Sequence, residues 1–249
     1  MLTLLYRNTN MDSLKSNALL RLSGRQGLIG KYSRAISIYV LFAIICSFLD
    51  QLLPDINIGS LQSIGIFLFF ALYLSIFQSI LKCGINHYFL KQNCGKDTAT
   101  SDLFRFVIKP SGASFAYSAI TRVLLLICLI PSLMYAHSNS QQIFTVSTAV
   151  CGILLMICGF IVYYLIVVNI AMVPYLISDF PDKKVKELIR LSIWMMKGQR
   201  IKYTMLVLSF VPLMLLSLLS LGLGLIWVMP YMLSTTSSFY LNLAECKAK

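Results

Sequence analysis

Two uncharged stretches constrain this chain more than any other feature. Residues 123–178 contain no Asp, Glu, Lys or Arg, a run of 56 residues, and residues 203–244 contain none either, a run of 42. A helix needs about 20 apolar residues to cross a bilayer, so each run is long enough for two crossings. No water-soluble fold accommodates such runs: only 12% of the chain is charged, against roughly 25% in an average soluble domain. With 58% of residues hydrophobic and a mean hydropathy of +0.79, a soluble globular domain and a disordered chain are both excluded.

Within and between these runs the sequence predicts an all-α polytopic membrane protein. Six spans are read at about 35–53, 61–81, 117–135, 143–165, 203–219 and 225–243. They divide the chain into a 1–34 N-terminal segment, a 35–243 membrane domain and a 244–249 tail. The distribution of basic residues supports this count. Six fall in 1–34, six in 82–122, seven in 179–202 and two in the tail, which accounts for all 21. The intervening segments 54–60, 136–142 and 222–224 hold none. Lys and Arg collect in cytoplasmic loops, so six spans put every basic residue on one side, with both termini cytoplasmic. Five spans break that pattern. No cleavable signal peptide is read in 1–34, and Met11 offers an alternative start.

Several residues punctuate the spans. Pro174 bends or ends a long fourth helix, and Pro230 lies inside the sixth. Gly222 and Gly224 sit at the middle of the 42-residue run and mark a tight turn between spans five and six. Gly159 reads as an ordinary mid-span position. Asp50 reads as a solvated carboxylate at the far end of span one, and Arg122 as a side chain that reaches back to the headgroups from the first turns of span three.

The basic segments carry helical periodicity. In 182–197, Val185, Leu188, Ile189, Ile193 and Met196 share one face, with Asp182 as start cap and Gly198 as stop. Lys183, Lys184, Lys186 and Arg190 occupy the opposite face, the pattern of an interface helix facing anionic lipid headgroups. Residues 101–108 repeat this on a shorter scale, with Ser101 as cap and Leu103, Phe104 and Val107 as the apolar face. In 12–25, Leu14, Ala18 and Leu22 form the apolar face. Each such helix precedes a pair of spans, giving three architectural units.

The chemistry-bearing residue types are sparse. The net charge of +12 would point to nucleic acid in a soluble chain, but here it follows from loop topology, and no nucleic-acid partner is expected. Seven cysteines without a CxxC, four of them inside apolar runs, give neither a disulfide framework nor a zinc site. There is no HExxH, GxSxG or P-loop. His87 and His137 fall on opposite sides of the membrane. No catalytic, cofactor or metal residue is assigned, and the chain reads as a non-enzyme.

Met172-Val-Pro-Tyr-Leu-Ile-Ser-Asp179, Pro181, Ser192, Met196-Lys-Gly198, Leu208-Ser-Phe210, Leu221-Gly-Leu-Gly224, Trp227, Pro230-Tyr231 and Phe239-Tyr240 follow in order. Gly84, Phe89-Leu90 and Ser101-Asp-Leu-Phe104 precede them. This series resembles the domain of unknown function 975 family of multi-spanning membrane proteins from Gram-positive bacteria, over about residues 11–243. Pro131-Ser132 departs from the Pro-Gly pair common in that family. The resemblance implies a bacterial plasma-membrane protein and no particular activity.

Two functions fit this reading. The first is a non-enzymatic interaction or accessory protein for transport or envelope processes, holding a membrane protein partner. The second is a small transporter or lipid-handling protein with a pathway between spans four to six. The scarcity of charge within the spans favours the first.

Overall fold

The computed structural model describes residues 16–53, 60–109, 111–138 and 146–248. The first fifteen residues, Met11 among them, and the 54–59 and 139–145 segments lie outside them. The fold is all-α, and the described residues form eleven helices: α1 (Asn17–Leu28), α2 (Tyr32–Asp50), α3 (Leu61–Asn93), α4 (Ser101–Ile108), α5 (Gly112–Ser138), α6 (Val146–Asn169), α7 (Val173–Asp179), α8 (Val185–Met196), α9 (Arg200–Leu208), α10 (Val211–Leu219) and α11 (Leu225–Ala248).

Five stretches are long and apolar enough to cross a membrane: Tyr32–Asp50, Gln62–Asn93, Gly112–His137, Val150–Asp179 and Arg200–Leu219. The expected sixth span lies in α11. Its 24 residues reach about 36 Å at 1.5 Å per residue. The 234–238 Ser/Thr run and Asn242 make it less apolar than the other five.

Helix lengths organise the molecule. At 33 residues, α3 is about 50 Å long, well beyond a hydrocarbon core of about 30 Å. It does not stop at Lys82, as its hydropathy alone predicts, but continues to Asn93. That continuation is the hub of the core: Leu81, Cys83, Ile85, Tyr88, Phe89 and Leu90 are all buried. Around it pack α1, α4, α7, α8 and the last turns of α11, burying Leu20, Leu103, Met172–Val173, Leu188, Met196, Phe239 and Leu243. All these elements belong to the basic end. The opposite halves of the spans present their apolar side chains outward, as at Phe69, Ile127, Leu154, Phe160 and Leu219.

Two spans are broken, and each break is sealed by a short helix. After α6 the chain makes a tight turn in which the Val173 amide bonds to the Ile170 carbonyl at 3.1 Å. Val173 then opens α7, with Pro174 in its first turn, where a missing N–H costs nothing. The freed Asn169 carbonyl accepts from Ser192 Oγ of α8 at 2.9 Å. The fifth span divides into α9 and α10, with Pro212 in the first turn of α10. Arg21 of α1 reaches the Ser209 carbonyl there at 3.4 Å and lies over the Phe210 ring. Carbonyls released at a helix end need such partners.

α4 and α8 stand where periodicity puts them, whereas α1 runs from Asn17 to Leu28, later than the expected 12–25, of which Leu14 lies outside the described residues. α1 turns Leu20, Gly24 and Leu28 inward, whereas Ala18 and Leu22 are exposed. Glycine rather than leucine marks its packed face. A Cβ at Gly24 would come within 2.7 Å of Thr235 Cα, so α1 can lie backbone-close on α11 only with glycine there. Neither expected cap forms. Ser101 is already the first residue of α4, and Asp102 instead accepts the Ala99 amide at 2.9 Å. α8 begins at Val185 with no side-chain cap, so Asp182 does not cap it, although Gly198 follows its end at φ +82°.

The turn after α10 forms as expected. Gly222 adopts φ +82° and its amide closes the helix onto the Ser217 carbonyl at 3.0 Å. Gly224 is needed for space, since a Cβ there would lie 2.9 Å from Ser217 Cα. Pro230 lies inside α11, as expected. Gly159, however, is not an ordinary mid-span position: a Cβ on it would collide with the Cys128 carbonyl, so it is the contact point of α5 and α6.

Candidate functional site

A polar seam runs between α1, α3 and α11 at the basic end. Asn93, in the last turn of α3, donates through Nδ2 to the Ser234 carbonyl at 2.7 Å and to Ser238 Oγ at 3.1 Å, and contacts Ser237 Oγ. Ser234 Oγ lies 2.7 Å from the Gly24 carbonyl and 3.0 Å from Asn93 Oδ1. One residue earlier, Gln92 donates to the Gly27 carbonyl at 2.9 Å. The 234–238 run is therefore an interhelical contact surface, buried throughout. Such buried groups must be paired to avoid a desolvation penalty, and here the pairings tie α3 to α11, α3 to α1 and, through Ser234 and Gly24, α1 to α11.

Further hydrogen bonds brace the same end. Tyr175 of α7 shares a 2.9 Å hydrogen bond with Thr236 and stacks on Tyr240, whose hydroxyl donates to Asp179 Oδ2 at 2.5 Å. Lys91 and Asp102 form a two-point ion pair at 2.9 and 3.1 Å, joining α3 to α4. Burial pushes the Asp102 carboxyl up, but the Ala99 amide and the Lys91 ammonium outweigh it and hold the group below the ordinary carboxylate value. Beside the seam opens a cavity of about 450 Å³, lined by Gln26, Lys31, Gln92, Asn242 and Glu245 among others.

The expected interface face is on the surface. Lys183, Lys184, Lys186 and Arg190 are exposed, while Leu188, Ser192, Met195 and Met196 of α8 point into the core. Ile193 does not join them. It is exposed with Trp194, and the two line an open apolar hollow with Ile201, rimmed by Arg190, Lys197 and Arg200.

Charge within the spans is arranged differently from the sequence reading. Asp50 ends α2 and accepts from Gln78 Nε2 at 2.6 Å. Gln78 lies 17 residues past Leu61, about 26 Å along α3, so Asp50 is not at the far rim of the membrane. The reason is that α2, 19 residues long, ends well short of the far end of α3. Arg122 lines a cavity of about 80 Å³ together with Lys82, and its Nε is buried without a hydrogen-bond partner. Lys82, Arg122 and Asp50 all lie within electrostatic range of Cys46.

Among the described residues no group of three His, Cys, Asp or Glu side chains could hold a metal ion. His87 packs against Phe106 with Nε2 3.4 Å from Arg105, far along the chain from His137 in the last turn of α5. All seven cysteines are free thiols. Asn93 and Lys82 carry no motif in the sequence. The only signals for them were a polar residue in a helix-ending turn and a lysine closing an apolar run.

Comparison with curated proteins returns no match, and comparison with solved structures returns none either. A family model described as a protein of unknown function matches residues 11–247. That match takes in the whole polar seam, both broken spans and the three short helices, and on it the chain belongs to the DUF975 family.

Proposed function

We propose that this is a six-span protein of the bacterial plasma membrane with both termini in the cytoplasm, acting as a non-enzymatic accessory that holds a membrane protein partner in a transport or envelope process. The observation that carries the reading is the uneven packing. The buried core gathers at the basic end, built from the ends of α3, α7 and α11 under α1, α4 and α8. A preformed, positively charged cap on loosely packed spans is suited to docking at the membrane surface. Lys183, Lys184, Lys186 and Arg190 stand outward on that cap, where anionic headgroups and an acidic partner surface compete for them.

The test is purification in mild detergent followed by identification of copurifying proteins. A stoichiometric partner, lost when the four basic residues are changed to Gln, is the expected result. A chain that runs alone, with the same small molecule bound at unit stoichiometry, defeats the reading. It would support the second one, a small transporter or lipid-handling protein with its pathway along the broken spans four to six. That alternative draws on one observation, the helix breaks before Pro174 and Pro212 in spans four and five, since broken helices commonly mark binding sites in membrane proteins.

A further inference from the structure

At the junction of α3, α5 and the α6–α7 break, Lys82 and Arg122 face one small cavity of about 80 Å³. Ser79, Tyr117 and Tyr163 bring hydroxyls to the same lining, while the Thr121 hydroxyl, also there, donates to the Tyr117 and Ser118 carbonyls of its own helix. The two cations lie within electrostatic range of each other. Among the described residues the one ion pair is Lys91–Asp102, so neither cation has a carboxylate partner within 4 Å. The nearby Asp50 is engaged by Gln78. Arg122 Nε is buried and unpartnered. Two like charges in a low-dielectric site need a counter-charge, and two cations ringed by hydroxyls have the donor set of an oxyanion site.

Depth identifies the source of the anion. Lys82 closes the apolar stretch 61–81, about 32 Å along α3 from Leu61, and Arg122 lies about 24 Å from the Ser138 end of α5. With a hydrocarbon core of about 30 Å, both sit at its basic-side boundary, where lipid phosphates lie. Lys82 is also exposed on the flank of α3, which opens the site sideways to lipid rather than only to water. We propose that Lys82 and Arg122 hold the phosphate of an anionic lipid headgroup between α3 and α5. The proposal rests on the reading above only for the choice of the cytoplasmic leaflet.

Native mass spectrometry of the full chain in mild detergent tests it, with phosphatidylglycerol, phosphatidylcholine and inorganic phosphate titrated separately. The unmodified protein should retain one phosphatidylglycerol under activation that strips the others, with affinity at least tenfold above that for phosphatidylcholine. Lys82→Gln combined with Arg122→Gln should lose that preference, whereas Lys183→Gln with Lys184→Gln should keep it. Tyr163→Phe, which removes one hydroxyl and leaves the packing intact, should weaken retention several-fold, and Arg122→Lys should largely preserve it. This pair of variants decides the matter if the double variant fails to fold. Millimolar phosphate that displaces the lipid in the unmodified protein, but has no effect on the double variant, supports the oxyanion chemistry and gives free phosphate access to the site. Equal lipid retention in the unmodified protein and Tyr163→Phe, together with no preference over phosphatidylcholine, overturns the proposal. A partner protein found or missed in the copurification experiment does not bear on this result.

Discussion

Asn93 shows how much a single amide can hold. Its side chain reaches Ser234, Ser237 and Ser238, and a Cβ on Gly27 would run into it. Asn93→Leu should remove the α3–α11 bonds to Ser234, Ser237 and Ser238, which keep only their bonds within α11 and to Gly24 and Phe89, at about 0.5–1.5 kcal/mol for each bond lost. The unfolding temperature in detergent should fall accordingly; an unchanged value would remove the seam from the account of stability. Asp102 offers a pH test. Its carboxyl is held below its ordinary value near 3.8, so its stabilising effect is complete above that value and is lost as pH falls through the lower folded one. Asp102→Asn should therefore lower the unfolding temperature at pH 7 and make a shrinking difference below pH 4. Neither residue was legible as important in advance. Periodicity counts apolar side chains, and the groups that matter here are an asparagine, two glycines and a run of serines whose value lies in what faces them.

At the scale of elements the sequence reading was strongest where a physical rule is one-dimensional. The turn at 221–225 follows from length and glycine chemistry alone, and both glycines prove necessary for the reasons expected of them. Gly222→Val with Gly224→Val should sharply reduce membrane accumulation. Gly65 on α3, where a Cβ meets nothing within 4 Å, is the proper control. Gly159 is not, because its own substitution drives α6 off Cys128. Equal accumulation of the Gly65→Val and double variants would count against the turn. α4 and α8 were legible in position, but neither the bounds nor the orientation of α1 was. Hydrophobicity pointed α1's Leu22 inward, yet backbone-close packing on α11 selects the Gly24 face instead. The division of span five at Ser209–Phe210 went unread, although Pro212 stood in view, because a single proline in a span is compatible with either a continuous or a divided helix.

For the whole molecule, the one-sided distribution of 21 basic residues remains the best guide to topology. Reporter fusions at Ser140 and at the C-terminus should report opposite sides; the same side for both would sink the six-span arrangement, in which α11 crosses. Hydrogen exchange should be slowest at residues 83–90 and 234–240, which are buried together, and faster in the opposite halves of α6 and α10, which have few protein neighbours. Uniform protection along the spans would contradict the uneven packing. What the sequence could not convey is relative depth. Asp50 looks terminal when span one is read alone. Only its contact with Gln78, deep along a longer neighbour, moves it inward. The sequence likewise separates Lys82 from Arg122 by 40 positions, and antiparallel packing of α3 and α5 removes that separation.

The bond from Ser234 to the Gly24 carbonyl joins residues 210 positions apart. Translation therefore makes Gly24 long before Ser234. Until α11 has been made, the glycine face of α1 has no Thr235 backbone to lie against and the Gly24 carbonyl has no Ser234 hydroxyl to accept from. Closure of the seam is thus a late event, whatever the order in which the other helices assemble.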